Sequence, residues 1–193
     1  MKLLFFLFEV VGISLSGVMA PGPVTAAAVA SGAKRRFGGM LIAVGHGIVE
    51  FPLMVLIMLG AGRVLESVRV QTGIGLAGGA MLIVMAVGML ISLKGGGNSG
   101  GKIGAERPIV TGIILSAGNP YFLLWWATVG LALATDAKQL GIWAFGLFAV
   151  VHWLCDCVWL IVLSWASFKG SALLGAKSQR CLLYTSPSPR DRS

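Results

Sequence analysis

Two histidines occur in the chain, His46 and His152, and each is followed four residues later by a carboxylate, Glu50 and Asp156. Residues at that spacing share one face of a helix, so each imidazole can meet its own acid. Such a pair can relay a proton, hold a cation, or do no more than bond to itself and lock helix packing. Two helix breaks stand near these pairs. Pro21-Gly22-Pro23 precedes the first, and Gly118-Asn119-Pro120 precedes the second. Proline has no N–H and disrupts the helical ladder, so a half-helix starting at such a break turns unpaired N–H groups and the positive end of its dipole inward. Acidic side chains facing helix amino termini would suit a zwitterion. An ordinary kink is the plain alternative.

The elements that must position these groups are apolar. Hydrophobic residues make up 56% of the chain and charged residues 11%, against about 25% charged in a soluble domain. Five stretches, roughly 3–20, 39–60, 73–93, 109–134 and 142–168, are each long enough to cross a bilayer as a helix. The runs are continuous rather than alternating, which predicts helices and excludes strands. The fold class is therefore all-α, a polytopic membrane helix bundle. The first stretch resembles a signal peptide, but Glu9 interrupts it and Pro21 follows the would-be cleavage point, so a retained helix is expected.

Glu9, Glu50 and Asp156 lie inside these stretches, whereas no lysine or arginine does. An embedded acid is costly unless protonated, paired or hydrated, and it usually marks a pathway. The interior is thus arranged for something cationic, whether a proton, an amine or a metal ion. The net charge of +8 lies in the loops, not on one amphipathic face, which argues for a lipid bilayer and against nucleic acid. Lys34, Arg35, Arg36, Lys94, Lys102, Arg107, Lys169, Lys177 and Arg180 fall on one side, and Lys2, Arg63, Arg69 and Lys138 on the other. The richer side is expected to be cytoplasmic, which puts the amino terminus outside.

Both halves present the same order: a helix breaker, then an embedded His-x-x-x-acid pair. Three helices separate the two copies, and an odd number inverts the second, as in many secondary transporters. The first repeat covers about 1–93, a Gly-rich linker 94–107, and an incomplete second repeat 108–180, together one transmembrane domain. Trp125 and Trp126, with Trp153, Trp159 and Trp165, are interfacial anchors where they lie near helix ends; deeper in a span they pack the bundle or wall a substrate, packing being the preferred reading. Cys155 and Cys157 sit about 200° apart on a helix, which makes them a poor dithiol and reads them as small apolar residues.

At Ala20-Pro21-Gly22-Pro23, the basic turn Ser31-Gly32-Ala33-Lys34-Arg35-Arg36 with Gly38-Gly39, Gly45-His46 with Glu50, and Asn119-Pro120 before Trp125-Trp126, the chain resembles the LysE/RhtB amino-acid translocator family. The resemblance spans roughly residues 1–180. It implies six helices in two inverted triplets, of which five are present here. It also implies a small secondary transporter in the cytoplasmic (inner) membrane, exporting amino acids or related amphipathic metabolites and driven by protons. No cofactor and no catalysis are implied. By position, the resemblance places Pro23, Glu50, Asn119, Pro120 and Asp156 at the central site; Gly22, His46 and His152 join them as pathway candidates on the residue pattern alone. His-x-x-x-Glu stands where a shorter Gly-Asp pattern is commoner in the family, which leaves the substrate open.

Two other functions fit some residues. The two His/acid pairs could meet as an N₂O₂ set and make the chain a divalent metal cation exporter. Cys155 and Cys157 could serve a membrane thiol oxidoreductase, against which their angular separation argues. Residues 181–191 (CLLYTSPSPRD) resemble a translated sequencing adapter, so residues 181–193 are expected to be an artefactual tail on a truncated reading frame.

Overall fold

The computed structural model describes residues 1–61, 67–76 and 107–173, with isolated positions between those blocks. Most of the third apolar stretch, the Gly-rich linker and the tail from Cys181 lie outside the described residues. All regular structure among the described residues is helical. It includes α1 (Lys2–Val18), α2 (Pro23–Gly32), α3 (Gly38–Leu56), α4 (Pro108–Ala117), α5 (Pro120–Trp125), α6 (Leu131–Leu140) and α7 (Ile142–Leu173), and residues 68–76 are helical as well. Single π-helical turns at Ile57–Ala61 and Trp126–Gly130 follow α3 and α5.

Gly38–Gly60 and Ile142–Ser171, of 23 and 30 residues, are each long and apolar enough to cross a membrane. At 1.5 Å per residue, both exceed the roughly 30 Å of hydrocarbon. The first and fourth apolar stretches instead take the form of bent pairs. α1 and α2 meet at 79°, and α4 meets Pro120–Leu140 at 56°. Counting each bent pair as one span, the described residues supply up to four.

Both bends fall at the proline breaks, and at both the proline occupies the first turn of the following helix. There its missing N–H costs nothing and its fixed φ suits the helix. The breaks are therefore starts of new helices and not kinks within one. Gly22 caps α2 in an extended conformation, with φ −150° and ψ 179°. Asn119 caps α5 with its side chain, Oδ1 accepting from the Tyr121 N–H at 3.0 Å.

The polarity of the bundle is inside out. Phe5 is 73% exposed and Trp143 86%, whereas Ser14, Ser116, Glu50, His152 and Asp156 are buried. In water such an exterior would aggregate; against lipid it needs no covering. Helix α7 runs along α1, α2 and α3 and forms the spine of the bundle. Phe6, Val10, Met54, Trp126, Leu131 and Phe148 make up much of the larger apolar core.

Close backbone approach sets the contact between α3 and α4. A Cβ on Gly45 would strike the carbonyl oxygen of Ile109, and one on Gly112 would strike that of Ile42. Only glycine lets α3 and α4 touch here, which is how small residues bring membrane helices together. Serines attach α7 to the last turn of α2 and to the turn after it. Ser167 Oγ donates to the Val29 carbonyl at 2.8 Å and Ser171 Oγ to that of Ala33 at 3.3 Å. Ser164 Oγ lies 3.1 Å from the Arg36 carbonyl and 3.3 Å from that of Arg35.

Candidate functional site

The two His/acid pairs converge. His46 and Glu50 sit one turn apart on α3, with Nε2 and Oε1 separated by 3.2 Å. The same Glu50 oxygen lies 3.2 Å from His152 Nε2, on α7. Asp156, one turn beyond His152, places Oδ1 3.8 Å from His46 Nε2 and Oδ2 3.7 Å from His152 Nε2. Each imidazole therefore faces both carboxylates. The spacing in sequence had paired each histidine only with its own acid.

Further groups fix this arrangement. Trp126 Nε1–H donates to Glu50 Oε1 at 3.3 Å. His46 Nδ1 is 2.6 Å from Ser116 Oγ on α4, and His152 Nδ1 is 2.7 Å from Ser14 Oγ on α1. The serine that holds each histidine belongs to the opposite half of the chain. Trp125 stacks on His152, with centroids 4.8 Å apart and planes at 16°. The edge of Phe122 closes on His46 at 5.1 Å.

The cluster is one wall of a cavity of about 80 Å³, several times the space one water requires. Gly22, Val24 and Thr25, from the start of α2, line another wall, together with Asn119, Tyr121 and Trp125. Among the described residues, Glu50 Oε2 and Asp156 Oδ2 are buried without a hydrogen-bond partner.

Of the residues singled out from sequence, His46, Glu50, His152, Asp156, Gly22 and Asn119 all border this cavity. Pro23 and Pro120 stand behind the wall as first residues of α2 and α5. Asn119 spends its side-chain oxygen on capping α5. Glu9 is exposed on the outer face of α1, away from the cluster. Cys155 and Cys157 are free and buried, and Cys157 packs with Ala27, Ala28 and Ile42. Sequence reasoning missed Ser14, Ser116 and the part that Trp125 and Trp126 play. One signal was available for the serines: a hydroxyl inside a membrane helix must bond something, and neither serine lies near a helix start.

An apolar exterior, two spans and two broken pairs, and a buried ionisable cluster beside a cavity together define a multi-pass membrane protein with a polar interior site. The sequence model of the LysE type translocator family matches residues 15–185. The chain belongs to that family and is a membrane translocator. No curated protein and no solved structure matches it.

Proposed function

We propose that the chain exports amino acids or related small amphipathic metabolites across the cytoplasmic membrane, with counter-movement of protons through His46, Glu50, His152 and Asp156. The observation that carries this reading is the convergence of both His/acid pairs on one membrane-embedded cavity. The Glu50 oxygen shared at 3.2 Å by two imidazoles is a place where a proton can be exchanged. Gly22, at the head of α2, offers a helix amino terminus to a substrate carboxylate, and the acids answer its ammonium group. Trp125 and Phe122 supply an apolar wall for the remainder. In this reading the amino terminus lies outside, and the two halves form an inverted pair about the cluster.

The test is efflux after dipeptide feeding. Cells expressing the chain should release the liberated amino acid faster than control cells, and Glu50→Gln should abolish the difference. Efflux unchanged in that variant would sink the coupling role. Metal resistance without amino-acid efflux would instead favour divalent-cation export.

A further inference from the structure

We infer that His46, Glu50 and Asp156 form a binding site for one divalent transition-metal ion of the zinc type, with His152 beside it. The inference stands on the geometry of these side chains and does not depend on the exported cargo. Its donor set is an imidazole nitrogen and two carboxylates. That mixture suits zinc and its neighbours, whereas calcium and magnesium seek oxygens almost alone.

The distances fit. A four-coordinate ion with bonds of about 2.0–2.1 Å holds its ligand atoms roughly 3.3 Å apart, along the edges of a tetrahedron. Here His46 Nε2 lies 3.2 Å from Glu50 Oε1 and 3.8 Å from Asp156 Oδ1, while His152 Nε2 lies 3.2 Å from the same Glu50 oxygen and 3.7 Å from the other Asp156 oxygen. His46, Glu50 and Asp156 can each offer one atom with all three within 4.8 Å of one another. His152 stands outside that group of three, with its Nε2 3.2 Å from the Glu50 oxygen that His46 also faces.

The orientation of the imidazoles fits as well. Ser116 has one hydroxyl proton, and Ser116 Oγ donates it to the Gly112 carbonyl at 2.6 Å. It must therefore accept from His46 Nδ1–H, across the other 2.6 Å contact. That fixes the neutral ring as the tautomer with a bare Nε2, and Nε2 is the atom that faces Glu50 and Asp156. A ligating histidine is held in this way by a partner on its other nitrogen. Ser14 Oγ lies 2.7 Å from His152 Nδ1 and can accept from it in the same way. A bare nitrogen against a carboxylate oxygen at 3.2 Å demands a cation between them, and the two orphan carboxylate oxygens add to that demand. A proton meets it in transport; a zinc-type ion meets it with three ligands at once.

The experiment uses the full chain, purified in detergent through a tag other than polyhistidine, with Co²⁺ as the spectroscopic probe. One Co²⁺ per chain should give the visible absorption of tetrahedral coordination, without the sulfur charge-transfer band that thiolate ligation adds, and Zn²⁺ should displace it. Ser116→Ala should weaken the affinity by about 10–100-fold, the usual cost of losing such support. The His46→Ala, His152→Ala double variant should lose the signal. The near-isosteric Glu50→Gln should weaken it strongly in a protein that remains monodisperse, which guards against misfolding of the double variant. Absence of the absorption in the unsubstituted chain, or its retention in both sets of variants, overturns the inference. A chain that exports amino acid yet binds no Co²⁺ refutes the metal site alone. One that binds Co²⁺ yet moves no amino acid upholds it and refutes the transport reading alone.

Discussion

Substituting alanine for Gly112 adds a single methyl group at the contact between α3 and α4, outside the cavity. That methyl would fall on the carbonyl oxygen of Ile42, with the Gly45 Cα at 3.0 Å on the other side. Neither obstacle is a flexible side chain, so the helices themselves must part by about 1 Å to regain ordinary contact. Ser116 lies one turn further along α4 and moves with it. Its 2.6 Å contact with His46 Nδ1 then stretches beyond the range of a hydrogen bond. Overpacking costs about 1–3 kcal/mol, and the lost bond adds about 0.5–1.5 kcal/mol. Gly112→Ala should therefore lower the unfolding temperature in detergent and reduce export by roughly tenfold or more, although it touches no cavity residue. Gly118→Ala serves as control, since its Cβ would meet only the Ile114 carbonyl of its own helix, at 3.1 Å. If Gly112→Ala matches the parent in both unfolding temperature and export, the backbones are not in contact and the coupling between packing and site is wrong.

Two other perturbations address the aromatic wall and the second helix break. Trp126→Phe keeps most of the ring volume but removes the donor to Glu50 Oε1; a hydrogen bond to a charged group is worth about 1.5–3 kcal/mol, so an initial-rate efflux assay should show a loss of about tenfold or more. Asn119→Ala removes the cap of α5 and should cost about 1 kcal/mol in chemical or thermal unfolding, while Asn119→Ser, which can still accept from the Tyr121 N–H, should recover most of it.

The elements were more legible in the sequence than the site was. Apolar run length alone places α3 and α7, because lipid asks nothing of a span but length and satisfied backbone. The prolines at 23 and 120 mark helix starts, yet proline chemistry by itself allows either a kink or a new helix; the 79° and 56° bends decide it. Within the site, the turn from His46 to Glu50 is visible in the spacing, whereas the approach of Glu50 to His152 joins residues 102 positions apart and depends on how α3 meets α7. Ser14 and Ser116 were passed over because a serine in an apolar run looks like any small packing residue until its partner is known. Trp126 was read as packing. It does pack, at 1% exposure, but its N–H also reaches the Glu50 carboxylate. Glu9 shows the converse error: lying within an apolar stretch did not turn it inward.

The serines of α7 grip the last turn of α2 and the turn after it through backbone carbonyls, at Val29, Ala33, Arg35 and Arg36. A carbonyl is the same whatever residue carries it. These bonds are therefore indifferent to the side chains of the residues that accept them, although Gly32 must stay small because a Cβ there would strike the Ser164 backbone, and Arg36 rests its guanidinium on Phe37. The charges of Lys34 and Arg35 can be spent on lipid phosphates, or exchanged for other residues over evolutionary time, while these bonds stay as they are.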